Sequence, residues 1–181
     1  MFYVLRHAVS VTLLPGTVLL AVPLWIARRY DVDAAWPRTA GDTALAAAGV
    51  LLLVPGVILF GASLRRFFTT GRGTLAPWDP PSRLVVSGPY RYVRNPMISG
   101  VMFMLMATAL ILRSAPHAAW AGIFVVINAI YIPLLEEPDL AARFGQDYAT
   151  YRRHVRRFVP RLTPWRGASD GSSLHEDRSR V

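Results

Sequence analysis

The sequence predicts an all-α integral membrane protein with about four transmembrane helices and a C-terminal interfacial amphipathic helix. Three observations point there. Four apolar stretches approach the length that a bilayer requires, about 17–25 residues each. Hydrophobic residues supply 53% of the 181 positions and charged ones only 17%, below the roughly 25% of soluble domains. After the last stretch, apolar residues recur every three or four positions, the period of a helix with one greasy face.

The first stretch, Ala8–Ala27, ends on Arg28-Arg29. It is long enough to span and carries no small-residue cleavage site, so it reads as a retained helix rather than a signal peptide. The second is Thr43–Ser63. Met97–Leu112 is short, but Arg113 can reach an interface from its end. Arg113 to His117 is a tight connection containing Pro116, so Met97–Leu112 and Ala118–Leu135 form a helical hairpin. Pro15, Pro23, Pro55 and Pro133 fall inside these spans, where membrane helices tolerate them as kinks.

Charge orients the spans. The net charge is +9 and every basic residue is Arg. Four spans place the N-terminus, the second loop and the C-terminal region on one side, with sixteen of the twenty Arg. That side is expected to be cytoplasmic, in the cell (inner) membrane. The Arg residues flank apolar spans, so anionic lipid headgroups are the expected partner and nucleic acid is not. Cys is absent, which removes disulfides, thiolate catalysis and cysteine-ligated metal. The four His are scattered, and no metal site is expected.

Beyond Glu136-Glu137-Pro138-Asp139, the residues Leu140, Phe144, Tyr148, Tyr151, Val155 and Phe158 line one helical face. Arg152, Arg153, Arg156 and Arg157 crowd its end, as in a helix lying on headgroups. Past Trp165 the chain turns polar and Ser-rich, the composition of a disordered tail. Three regions follow: 1–63, a two-helix membrane region; 64–165, a cofactor-binding catalytic region; and 166–181, the tail.

The second loop is the unusual feature. It is long for a connector between membrane helices and rich in Pro, Gly and aromatics. It ends Gly88-Pro89-Tyr90-Arg91-Tyr92-Val93-Arg94-Asn95-Pro96. Asn95-Pro96 opens the third span, so its backbone N–H groups offer an anion site that Arg91 and Arg94 reinforce. Gly71-x-Gly73 lacks the third glycine and the preceding strand of a dinucleotide fingerprint. Glu136 and Glu137 stand where a span meets the interface. Acids there are either functional or the solvated start of the next helix.

The run Gly88 to Pro96, followed by Gly100, resembles the signature of the isoprenylcysteine carboxyl methyltransferases. Glu136-Glu137, then Phe144-Gly145-x-x-Tyr148-x-x-Tyr151 and Pro160-Arg161, resembles their second signature. The phospholipid N-methyltransferases share both in looser form. The resemblance covers Gly71 to about Trp165. Asn95 stands where the family often has His, and Ile98 where it often has Tyr.

The resemblance implies S-adenosylmethionine in a cytoplasmic pocket built by the loop, the last two spans and the C-terminal helix. Gly88, Pro89, Tyr90, Tyr92, Arg94, Asn95, Pro96, Gly100, Glu136, Glu137 and Tyr148 are its candidate ligands. Arg94 and the backbone at Asn95-Pro96 suit the cofactor carboxylate, and Glu136 or Glu137 its ammonium. Tyr90, Tyr92 or Tyr148 suit its adenine, although interfacial aromatics also anchor lipids. The expected reaction is methyl transfer to a lipophilic acceptor from the bilayer, with carboxyl O-methylation favoured. Arg143, two turns beyond Glu137, would hold the acceptor carboxylate, and Glu137 completes the catalytic pair. N-methylation, a sterol-reductase-like activity and a non-catalytic membrane module are the alternatives.

Overall fold

The computed structural model describes residues 15–33, 36–70, 84 and 86–167. The start of the first expected span, residues 71–83 and 85 of the second loop, residues 34 and 35, and the tail beyond 167 lie outside the described residues.

Every regular element among the described residues is helical. A π turn, Thr17–Ala21, leads into α1, Val22–Arg29. Helix α2 covers Ala40–Thr70. At 1.5 Å per residue its 31 residues extend for about 46 Å. Thr39 and Asp42 start it reciprocally. The Asp42 carboxylate accepts from the Thr39 N–H at 3.0 Å, and the Thr39 hydroxyl accepts from the Asp42 N–H at 3.0 Å. Helix α3 is Pro96–Leu112, with proline at N1, where its missing N–H costs nothing. Arg113 ends it in the left-handed region (φ 51°). Helix α4, Ala115–Tyr131, follows at once, and the Ser114 hydroxyl caps its His117 N–H.

Two helices, Ala40–Arg66 and Ala115–His154, are long and apolar enough to cross a membrane, and Pro96–Leu112 is a shorter apolar helix. Val50, Leu51, Val54, Val57 and Ile58 of α2 and Ile123, Val126, Ile127 and Ile130 of α4 are exposed. Apolar surface on that scale marks an apolar surrounding.

The tightest packing joins α2 to α3. A Cβ on Gly100 would lie 2.8 Å from the Gly56 carbonyl oxygen and 2.8 Å from the Phe60 nitrogen. Backbones approach this closely only where side chains are missing, the usual way membrane helices associate. Gly100, expected at the cofactor, is thus explained by helix packing. At the other end, buried His117 joins α1 to α4, with Nδ1 2.8 Å from the Ser114 hydroxyl and Nε2 3.1 Å from the Pro23 carbonyl. The Trp120 indole donates to the Val18 carbonyl in the π turn at 3.1 Å.

The helix after the fourth expected span is not a separate piece. A second π turn, Ile132–Glu136, carries α4 into α5, Glu137–His154. Pro133 and Pro138 each lack an N–H and crowd the carbonyl four residues back. The wider π turn takes up both without breaking the rod. A sharp departure follows at Gly145 (φ 50°, ψ −125°), a conformation glycine adopts at little steric cost.

Nor does the apolar face of α5 simply lie on a surface. Tyr148, Tyr151 and Val155 are buried, and Leu84, Val86 and Trp165 pack against them. The chain thus folds back over its own amphipathic helix, which the 3.6-residue period alone cannot distinguish from a lipid-facing stripe.

Candidate functional site

The segment after α5 runs back along the loop motif. The Arg94 N–H donates to the Arg156 carbonyl (2.8 Å) and the Asn95 N–H to the Arg157 carbonyl (3.2 Å). In return, the Arg161 N–H donates to the Tyr92 carbonyl (2.9 Å) and the Trp165 N–H to the Arg91 carbonyl (2.9 Å). From Arg91 to Arg94 the partners fall from Trp165 to Arg156, and at Asn95 they step back up to Arg157. Arg91 Nε adds a bond to the Trp165 carbonyl at 2.7 Å, and the Tyr151 hydroxyl donates to the Tyr90 carbonyl at 2.7 Å. Residues 155–165 therefore act as a clasp holding the motif against α5.

The clasp narrows one expectation. The N–H groups of Arg94 and Asn95 are engaged by carbonyls and Pro96 has none, so these three residues offer no free backbone donor to an anion. The Asn95 side chain also points to the Arg157 carbonyl, with Nδ2 at 3.5 Å. Its backbone carbonyl accepts from the Ser99 N–H (2.9 Å) and hydroxyl (2.8 Å). Gly88 has φ 58°, and a Cβ there would meet Arg66 Nε at 2.9 Å. Glycine at this position suits both the turn and the close approach of α2. Pro89 and Tyr92 line an apolar cavity beside α2.

Under the clasp lies an ionic cluster. Glu137 is only 2% exposed, and its Oε1 is 3.0 Å from Arg94 Nη1 and accepts from Arg157 Nε at 2.6 Å. Arg152 Nε approaches Oε2 at 3.4 Å. Arg94 Nη1 also donates to the Tyr148 hydroxyl at 3.3 Å. A buried carboxylate is stable only when paired and hydrogen-bonded, and here one carboxylate serves three guanidiniums.

The apolar part of the α4–α5 rod ends at Leu135, so the two glutamates lie beyond the span. Burial alone would push the Glu137 carboxyl up. The hydrogen bond from Arg157 and the charges of Arg94, Arg157 and Arg152 outweigh burial and hold it below the ordinary glutamate range. The same hydrogen bond raises Arg157. Glu136 moves the other way, because burial and the neighbouring Glu137 charge both push its carboxyl up. Burial, then the Glu136 charge, raise the Tyr90 phenol.

Two polar atoms are left over. Arg94 Nε and Glu137 Oε2 are buried with no hydrogen-bond partner among the described residues. An unsatisfied buried donor on a guanidinium is costly and marks where an acceptor would be welcome.

Of the residues expected at the site, the structure brings Arg94, Glu137 and Tyr148 into contact and places Glu136 and Tyr90 within each other's electrostatic reach. It does not add Arg143 to the Glu137 cluster. That guanidinium lies 3.5 Å from Asp139 on the preceding turn and over the Phe144 ring. Arg152, Arg157, Tyr151 and Trp165 were missed as site residues. A buried glutamate needs cations, and the Arg152–Arg157 run was the signal that could have named two of them.

The phospholipid methyltransferase family matches residues 45–147, which hold α3, α4, the glutamate pair and the motif between α2 and α3. The chain belongs to the phospholipid methyltransferase family. One relative is methanethiol S-methyltransferase 2 of Bradyrhizobium diazoefficiens, 35% identical over 118 residues. The alignment covers 64% of this chain but only 41% of that protein. No solved structure matches the chain.

Proposed function

We propose that the protein transfers a methyl group from S-adenosylmethionine to a lipophilic acceptor that reaches it from the bilayer. The observation that carries this reading is the buried Arg94 Nε, which has no hydrogen-bond partner among the described residues and lies one contact away from the glutamate pair. The cofactor's amino-acid end has a carboxylate and an ammonium, which require a donor and an acid side by side. Arg94 supplies the donor for the carboxylate. Glu137 is committed to three arginines, which leaves Glu136, raised by burial and by its neighbour, for the ammonium. Tyr90 and Tyr148, both next to these groups, are the aromatic candidates for the adenine.

When bound, the cofactor supplies a methyl carbon on a sulfonium, which an acceptor lone pair displaces as a neutral thioether. The chain's part is to hold that end with Arg94 and Glu136 and to keep water from the reacting atoms. Glu137 positions Arg94, and the clasp positions both.

The acceptor atom has two readings. Carboxyl O-methylation follows the motif, with Arg143 holding the acceptor carboxylate. Its contact with Asp139 is solvent-exposed and costs only about 0–1 kcal/mol to give up. S-methylation is favoured by the Bradyrhizobium relative, whose name specifies methanethiol. We place four spans in the membrane with both termini cytoplasmic, because that puts sixteen of the twenty Arg inside.

The test is equilibrium binding of labelled S-adenosylmethionine to the purified protein in detergent. Wild type binds, and Glu136→Gln weakens binding by about tenfold or more, the range for a charge-assisted hydrogen bond of roughly 1.5–3 kcal/mol. Equal affinity in both proteins would remove Glu136 from the site, and no binding by wild type would remove the proposal.

A further inference from the structure

The clasp holds two apolar side chains out into its surroundings. Leu162 is 101% exposed and Val159 57%. A lone exposed leucine needs no explanation, but these two stand three residues apart on a segment that is tied down. Val155 is buried at one end, and the Arg161 and Trp165 N–H groups are bonded to the motif at the other. Pro160, between them, borders α2 at Ile58, Leu59 and Ala62. Those residues close the apolar part of the span Ala40–Arg66, one turn before Arg65 and Arg66. Val159 and Leu162 are therefore at the depth where hydrocarbon gives way to headgroups. Charge surrounds them on one sign only. Between Asp147 and Asp170 the chain carries six Arg and no acid, and Arg152, Arg153, Arg156 and Arg166 are exposed.

We propose that the clasp docks on the anionic leaflet of the membrane that the chain spans, and that this docking holds the ionic cluster closed. Val159 and Leu162 enter the acyl region, where apolar surface leaves water. Arg153 and Arg156 meet lipid phosphates, as juxtamembrane basic clusters do. The coupling comes from neighbouring residues with opposite duties. Arg156 exposes its side chain while its carbonyl accepts from the Arg94 N–H at 2.8 Å. Arg157, next to it, donates from Nε to Glu137 at 2.6 Å. A clasp held on the leaflet cannot swing away from Arg94 and Glu137, so headgroups that bind the closed form raise its population. The docking stands by itself, whereas its effect on cofactor affinity rests on the methyltransferase reading above.

The chain contains no cysteine, so a single nitroxide can report the depth of the clasp. Leu162→Cys carries it on a wholly exposed side chain, and Gln146→Cys, exposed on α5 beyond Gly145, is the aqueous reference. Each labelled full-length variant is placed in phosphatidylcholine nanodiscs with and without one third phosphatidylglycerol. Relaxation by oxygen, which prefers hydrocarbon, is compared with relaxation by a water-soluble nickel chelate. Labelled S-adenosylmethionine affinity is measured in both discs for wild type and for Arg153→Gln/Arg156→Gln. With phosphatidylglycerol, oxygen should dominate at Leu162→Cys and nickel at Gln146→Cys. Each arginine near an anionic surface adds about fivefold to attachment, so wild-type cofactor affinity should be roughly threefold or more tighter with phosphatidylglycerol. The double variant should lose that gain and match wild type in phosphatidylcholine alone, whereas a merely structural defect would weaken binding in both discs. Nickel dominance at Leu162→Cys in the anionic discs overturns the proposal. Shielding of that label from both relaxants overturns it too, because the chain itself would then cover the position. Equal wild-type affinity in the two discs, or an undiminished gain in the double variant, also overturns it. An oxygen-dominated Leu162→Cys label with no cofactor binding in either disc supports the docking and sinks the methyltransferase reading instead.

Discussion

Replacing Glu137 with glutamine tests the ionic cluster most severely. The change keeps the size of the side chain and an oxygen for Arg157, and removes only the charge. Taking one partner from a buried ion pair costs about 3–5 kcal/mol, because the other charge is left unpaired in a dry place. The pair with Arg94 meets that condition, with the two side chains 9% and 2% exposed. Arg152 adds little, because it is 54% exposed and water screens it, whereas Arg157, 2.6 Å away and 27% exposed, keeps an oxygen acceptor in the glutamine. The lower end, about 3 kcal/mol, is the expected loss. At roughly 2–4 °C per kcal/mol for a chain of this size, the thermal midpoint falls by about 6–12 °C. Tryptophan fluorescence in detergent follows it, since Trp165 packs against Tyr151 and His154. A double-mutant cycle with Arg94→Met isolates the pair, and the coupling should exceed about 1 kcal/mol. An unchanged midpoint in Glu137→Gln, or strict additivity with Arg94→Met, would refute the assignment of Glu137 as the centre of the cluster.

Acid should erase the difference between wild type and Glu137→Gln. The folded carboxyl is held below the ordinary value of about 4.3, so its stabilisation is complete above that value and disappears as the pH falls towards the folded pKa. A midpoint difference that persists in strong acid would contradict this. Ending the chain after Gly167 should leave cofactor binding intact, whereas ending it after His154 removes the clasp and should abolish binding; equal binding by both truncations would make the clasp irrelevant. Gly100→Val should disrupt the α2–α3 contact, because its Cβ would fall 2.8 Å from backbone atoms of α2; proteolysis of detergent-solubilised protein should accelerate several-fold, and normal resistance would contradict the packing role.

Much of this architecture could be read from the chain. Apolar length set α2, α3 and α4, the short Arg113–His117 connection with Pro116 set the hairpin turn, and the two motifs named Arg94 and the glutamates. What could not be read has a common cause: it depends on contacts between distant residues. Pro133 read as a kink inside the fourth span and Glu136-Glu137-Pro138-Asp139 as the start of a separate helix, and the π turn joins the two into one rod. The stripe Leu140–Tyr148–Tyr151–Val155 is legible as amphipathic, but its period does not say whether lipid or the chain itself covers it. Residues 155–165 carry no strand pattern, and their bonds exist only because the motif backbone offers matching groups. Gly100 lies beside the motif in sequence and is explained by Gly56 across the helix contact. Glu136 and Glu137 are adjacent and identical in type, and three arginines from α5, the clasp and the motif separate their roles.

The central claim is that Glu136 and Arg94 hold S-adenosylmethionine for methyl transfer. Its most direct measurement is the pH dependence of labelled cofactor affinity in wild type and Glu136→Gln. Only the ionised Glu136 can hold the cofactor's ammonium, and burial with the Glu137 charge raises that carboxyl above the ordinary glutamate range. Wild-type affinity should therefore fall on acidification with a midpoint above about 4.3, while Glu136→Gln binds weakly with no such step. An identical pH profile in the two proteins, at equal affinity, would contradict the account.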